Sequence, residues 1–398
     1  MSEYQTLDDI EFRGKRVLLR ADLNVPMSGG QITDASRITE AAPGLAELLD
    51  GGAGVVLTSH LGRPKGQAAA EFSLKPIAGK LAEALGGIEI TFVDGWDGTG
   101  PEDAAASLKP GEILLLENLR FEPGEETNDP AFAARLAGLA DIYVDDAFSC
   151  THRTHASITG VAALLPSAAG RLMQKELETL QTTLDAPVHP VAAIIGGNKI
   201  STKLGVLENL IAKVDHLLIG GAMAHTFLLA DGLDVGRSLA EPDMIDTARR
   251  ITAAAAAAGC KITLPTDVRV AAEFAENATS RALPVDAIPA DQMALDIGPK
   301  TARAMNQVIA ASRTVIWNGP MGAFEVTPFD TGTNTLALTV AERTKIGALK
   351  SIAGGGDTMA ALVHAKAAQD FTYVSLAGGA FLEWLEGRAL PGIEALKG

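Results

Sequence analysis

The sequence predicts an α/β protein of two Rossmann-like domains, each a parallel sheet flanked by helices, joined by a helical hinge. Three observations carry this. The 398 residues exceed the ~250–300 at which one hydrophobic core stops growing. Short, continuous apolar runs alternate with longer amphipathic stretches, the pattern of strands buried on both faces and of crossover helices. One polar helical stretch, at 172–184, interrupts that alternation near the middle.

The elements follow in order. In the first half the apolar runs fall at 16–20, 54–58, 88–93, 112–116 and 142–144, with helical patterns at 36–49, 74–85 and 130–140. In the second half the runs fall at 191–195, 217–219, 261–264, 314–317, 351–353 and 371–376, with helical patterns at 243–258, 301–311 and 333–345. The interrupting stretch, LMQKELETLQTTL, ends at Asp185-Ala186-Pro187 and is polar enough to pass between two units. The expected domains are therefore 1–170 and 186–385, with a connecting helix at 171–185. The tail 386–398 is too short for a domain and is expected to pack on the first.

Composition narrows the function. Aromatic residues are 5% of the chain against 47% hydrophobic in all, so the cores must be aliphatic, as parallel sheets between helices tend to be. Lys+Arg number 33 and Asp+Glu 49, a net charge of −16. Such a chain repels nucleic acid and anionic membranes, and neither is expected as a partner. Clustered cations carry more information here than in a basic protein. The two cysteines, Cys150 and Cys260, make neither a metal cage nor a disulfide framework, and read as reduced thiols in the cytoplasm. No apolar run reaches the ~18–20 residues of a membrane span.

In open parallel sheets, ligands bind beyond the carboxyl ends of the strands. In the first half those ends read Arg20-Ala21-Asp22-Leu23-Asn24, Ser59-His60-Leu61-Gly62-Arg63, Glu117-Asn118-Leu119-Arg120 and Asp145 through His155, with Arg37 opening the first helix. One such arginine means little. Arg37, His60, Arg63, Arg120 and Arg153 together make a rim for an anion, since guanidinium forks match phosphate and carboxylate oxygens. His152 and His155 stand three apart without a third ligand and read as hydrogen-bonding residues.

The second-half ends are glycine-rich instead: Gly196-Gly197-Asn198-Lys199, Gly220-Gly221, Asn318-Gly319-Pro320 and Gly354-Gly355-Gly356-Asp357-Thr358, with Gly378-Gly379 near the terminus. Glycines let backbone N–H groups approach phosphates, and a following helix adds its dipole. Lys199 and Lys203, four apart, are expected on one helical turn facing those phosphates. Asp357 suits a Mg2+ ligand and a helix N-cap equally. Neither the P-loop nor the dinucleotide fingerprint occurs, nor do protein-kinase motifs.

At these residues the chain resembles the phosphoglycerate kinase family. The segments are RVLLRADLNVP, SHLGRPKG, ENLRF, DDAFSCTHRTHAS, GGNKISTKL, LDIGPKT, WNGPMGAFE and GGGDT, with EWLEGRALPG near the end. The resemblance covers essentially the whole chain. It implies that Asp22, Leu23, Asn24, Arg37, His60, Leu61, Gly62, Arg63, Arg120 and Arg153 bind 3-phosphoglycerate, and that Arg37 and Lys199 are catalytic. It further implies that Lys203, Gly298, Asn318, Glu325, Gly355, Gly356, Asp357 and Thr358 hold ATP, with Asp357 serving Mg2+. The implied enzyme is a monomer that closes about its hinge. Four places depart from the family's pattern: Ser149 stands for glycine, Asn198 for a small residue, His225 for asparagine, and 375–381 for a more polar, glycine-rich segment. The acceptor, a carboxylate, is already ionised at pH 7, so transfer needs alignment and charge stabilisation rather than a base.

Overall fold

The computed structural model describes residues 4–397; residues 1–3 and Gly398, part of the expected domain bounds, lie outside them. The chain divides into two compact units, Met1–Glu178 with Ala389–Gly398, and Thr179–Arg388.

The first unit is built on a six-stranded parallel sheet in the order Ile90–Val93, Ile113–Leu116, Gly54–Thr58, Arg16–Ala21, Ile142–Asp146, Ser167–Ala169. The runs GVVLT and ILLL are buried along their whole length, which is why they are apolar without alternation. Helix Ser36–Asp50 buries Ile38, Ala41, Leu45, Leu48 and Leu49, one stripe at helical spacing. Helix Pro130–Ala137 starts at Asp129, whose carboxylate accepts from Ala131 N at 2.8 Å and Phe132 N at 3.0 Å. The chain moves from the strand Arg16–Ala21 outward on one side and returns on the other. That reversal opens a crevice at the carboxyl ends of the central strands.

The tail returns to this unit. Helix Pro391–Leu396 packs there, and Gly392 N donates to Thr151 O at 2.8 Å. A Cβ on Gly392 would lie 2.8 Å from Thr151 Cα, so only glycine permits this approach.

The second unit has a six-stranded parallel sheet in the order Lys261–Thr263, His216–Ile219, Val191–Ile195, Thr314–Asn318, Lys350–Gly354, Tyr373–Ser375. It also has an antiparallel sheet that the sequence reading missed: Ser280–Pro284, Asp267–Ala271 and Met293–Ile297. These strands are short and partly exposed, and their polar residues hide them from a search for continuous apolar runs.

The interrupting stretch is helix Arg171–Leu180 followed by a wider-wound turn, Gln181–Asp185, rather than one helix through 184. The two units divide inside it, between Glu178 and Thr179. Its start is pinned by Asp146, whose Oδ1 accepts from Leu172 N at 2.7 Å and Met173 N at 3.0 Å.

Candidate active site

On the first unit, loops at three strand ends are tied together through backbone groups. Leu23 is fully buried, which stabilises its loop by roughly 1.5–3 kcal/mol, and its N–H donates to Ser59 Oγ at 2.9 Å. Asp22 and Asn24, on either side, are thereby presented at the rim. Gly62 is the knot: its N–H donates to Asn24 Oδ1 at 2.9 Å, and its carbonyl accepts from Arg120 Nη1 at 2.6 Å. It sits at φ +61° against the ring of Phe72, where no side chain fits. Leu61 is buried beside it, its carbonyl accepting from Asn118 Nδ2 at 2.7 Å.

Charge gathers around His60. Burial, and then Arg20, Arg120, Arg153 and Arg37, push its pKa well below the ordinary histidine value. His60 Nδ1 lies 3.1 Å from Arg20 Nη2. A guanidinium only donates, so Nδ1 is the acceptor and the neutral ring carries its proton on Nε2. Arg37 pairs with Asp22 Oδ2, and Ser149 Oγ donates to the same oxygen. Arg120 is buried and lies 3.3 Å from Glu126, while Arg63 is exposed. Arg153 Nε donates to His152 Nε2 at 3.1 Å, and His155 lies 3.6 Å from Glu125. The substrate-side residues expected from the sequence thus stand on adjoining loops of one rim.

Arg20 was legible only as a strand end, yet it underlies this rim. It is fully buried, donating to Ser157 Oγ at 3.1 Å and Ala21 O at 2.6 Å as well as to His60. Buried Glu125 accepts from Ser157 N at 3.0 Å and Ser157 Oγ at 2.6 Å. Burial pushes the Asp145 carboxyl up to about 6. A charged residue inside a two-faced buried strand was the available signal.

On the second unit the glycine loops pack backbone against backbone. A Cβ on Gly196 would fall 1.9 Å from Pro320 O. Gly319, at φ +97°, would place one 2.2 Å from Gly196 O. Asn318 Nδ2 donates to Gly354 O at 2.7 Å, and its Oδ1 accepts from Lys203 Nζ. Thr358 is buried, its hydroxyl accepting from Gly319 N at 2.7 Å, so it joins two loops. Phe381, from the divergent segment 375–381, fills the space against Gly354; a Cβ there would meet its ring at 2.4 Å.

These loops edge a cleft of about 680 Å³, lined also by Asn198, His225, Glu325 and Asp357. Leu239 and Phe274 stand on its wall 54% and 55% exposed, apolar surface suited to a flat aromatic ligand. Helix Gly356–His364 begins at the cleft with Gly355, φ +99°, as its cap residue. Asp357 is exposed in the first turn and forms no cap bond, so the N-cap reading fails while its carboxylate remains free for a hard cation. Among the described residues no group of three or more His, Cys, Asp or Glu is gathered to hold a metal.

One expectation needs correction. Lys199 and Lys203 do not share a helical face, because helix Leu204–Ile211 begins only after Lys203. Lys199 is exposed on the preceding turn, where its carbonyl accepts from Thr202 Oγ1 at 2.9 Å. Lys203 is half-buried; burial lowers its pKa against the opposing pull of Asp357 and Glu386. Gly298, expected near the base, follows Ile297 on the wall of the large cleft. It precedes helix Pro299–Ala311 and borders a separate cavity of about 270 Å³, its N–H donating to Asp267 O at 2.8 Å. Met293, Ala294 and Leu295 continue the cleft wall.

A model of the family described as phosphoglycerate kinase matches residues 7–388. The chain is 55% identical over 398 residues to a phosphoglycerate kinase of Methylorubrum extorquens, covering 100% of this chain and 99% of that one. It is 55% identical over 395 residues to that of Zymomonas mobilis, covering 99% of each. The solved phosphoglycerate kinase of Coxiella burnetii superimposes with a TM-score of 0.92 at 41% identity, over 99% of this chain and 98% of that one. That of Pyrococcus horikoshii gives 0.82 at 29% identity, over 98% of each.

Proposed function

The chain belongs to the phosphoglycerate kinase family, and from that premise we propose that its two units divide the reaction, the first holding 3-phosphoglycerate and the second the magnesium nucleotide. The enzyme transfers a phosphoryl group reversibly between ATP and the carboxylate of 3-phosphoglycerate, giving ADP and 1,3-bisphosphoglycerate. The observation that carries the division is the cluster of Arg20, Arg37, Arg120 and Arg153 about a neutral His60, in a chain of net charge −16.

In this reading Arg63, Arg120, Arg153 and the Nε2–H of His60 hold the substrate phosphate. Asn24 and the backbone of Leu23, Leu61 and Gly62 shape its seat. Asp22 accepts from the substrate hydroxyl and exchanges its hold on Arg37 as it does so. Arg37 then turns toward the carboxylate, which attacks without a base. On the other unit Glu325 takes the ribose, Lys203 and Asn318 with Gly355, Gly356 and Thr358 order the phosphate loops, and Asp357 holds Mg2+. When bound, Mg2+ neutralises phosphate charge. Lys199 steadies the negative charge of the group in flight.

In-line transfer needs reacting atoms about 3–3.5 Å apart, so the units close about the Arg171–Asp185 region. The enzyme works as a monomer in the cytoplasm. Small-angle scattering tests closure and mass together. Addition of both substrates is expected to reduce the radius of gyration at monomeric mass, and either ligand alone to do less. An unchanged radius with both bound would contradict closure.

A further inference from the structure

We propose that His225 reads the six-position of the nucleotide's purine ring through the lone pair of Nε2, so that the cleft favours adenine over purines carrying an oxo group there. This rests on the assignment of the 680 Å³ cleft to the nucleotide.

His225 lies in helix Gly221–Ala230 and lines the cleft, although its side chain is buried. Its Nδ1 is 2.9 Å from the carbonyl of Leu239. A carbonyl oxygen only accepts, so Nδ1 carries the proton. Burial lowers the pKa of the ring, outweighing the opposing pull of the Leu239 carbonyl, and keeps it neutral near pH 7. Nε2 is then a bare acceptor. Among the described residues it is neither bonded to protein nor sealed from solvent. Leu239, which fixes the tautomer, is also one of the two exposed apolar residues on which a base would stack. The acceptor therefore stands beside the stacking wall, one helical turn beyond the Gly220-Gly221 loop.

Adenine offers an amino donor at its six-position, whereas guanine and hypoxanthine offer an oxygen that would face Nε2 as a second acceptor. Arg237, a donor on the same cleft wall, would favour the oxo purines, but its Nη1 already donates to Ala272 O at 3.2 Å and Asp291 O at 3.4 Å. A mismatched buried acceptor pair costs roughly ten- to hundredfold in selectivity.

The test is kcat/KM for ATP, inosine triphosphate and the purine analogue with hydrogen at the six-position, in wild type, His225→Phe and His225→Gln. Wild type is expected to prefer ATP over inosine triphosphate by about tenfold or more, with the hydrogen analogue between them. His225→Phe keeps the ring and removes the acceptor, and should bring the ratio within about threefold of unity. His225→Gln keeps an acceptor oxygen and should retain most of the preference. A wild-type ratio near one overturns the proposal whether or not the variants fold. A parallel change for all three nucleotides with the ratio kept also overturns it, while leaving the cleft as the nucleotide site. No change for any nucleotide in His225→Phe also overturns the reading of the six-position by His225.

Discussion

Lys199→Ala is expected to lower kcat by about two to three orders of magnitude while leaving the dissociation constant for ADP within about threefold of wild type. The side chain is exposed on the turn after Gly196-Gly197, and that turn is anchored by fully buried Ile200 and by the Thr202 hydroxyl on the Lys199 carbonyl. An ammonium in water contributes little to ground-state affinity, because its charge is screened. It contributes most when the site closes, water leaves and charge builds on the transferring group. Lys203 is the contrasting case: half-buried and already bonded to Asn318, it belongs to the resting nucleotide loop. Single-turnover kinetics with equilibrium ADP titration separates the two effects. An unchanged kcat would take Lys199 out of the transition state.

Arg37→Ala is expected to lower kcat/KM for 3-phosphoglycerate by about a thousandfold, through kcat and KM together. In the free protein Arg37 is paired with Asp22, so its removal costs two things. The transferring group loses a charge, and Asp22 keeps only neutral donors, the Ser149 hydroxyl and the Asn24 N–H, and stands as a carboxylate without its ion-pair partner where an anion must bind. Arg37→Lys should recover only part of the loss, since an ammonium lacks the planar fork that bridges two oxygens. Steady-state kinetics with 3-phosphoglycerate varied at saturating Mg-ATP measures both variants. A defect confined to the KM for ATP would contradict the role given to Arg37.

The parallel sheets were legible because strands such as Gly54–Thr58 and Ile113–Leu116 are buried on both faces and therefore continuously apolar. The anion rim was legible because each strand end delivers its cation within a few residues, where sequence proximity and spatial proximity coincide. What the residues alone could not reveal depends on packing between distant segments. Arg20 acts through Ser157, 137 positions away. The hydroxyl of Thr358 also accepts from Gly319 N, a tie between loops 39 positions apart. The four-residue spacing of Lys199 and Lys203 suggested a helical face, but the tight turn that donates Lys203 N to Ile200 O at 2.8 Å delays the helix. Gly298 entered only through the family resemblance; its backbone bond to Asp267, which starts a helix, joins segments 31 positions apart. The antiparallel sheet went unseen because partly exposed short strands carry no continuous apolar signal.

The most direct measurement is ADP release from Mg-ATP by the purified wild-type chain, with 3-phosphoglycerate and with glycerate as acceptors. Release is expected to require an acceptor, and kcat/KM for glycerate, which lacks the phosphate held by the arginine rim, to be lower by at least about a hundredfold. ADP release that ignores the acceptor, or that proceeds equally with both, would contradict a division of labour between an arginine-held acid and a nucleotide on glycine loops.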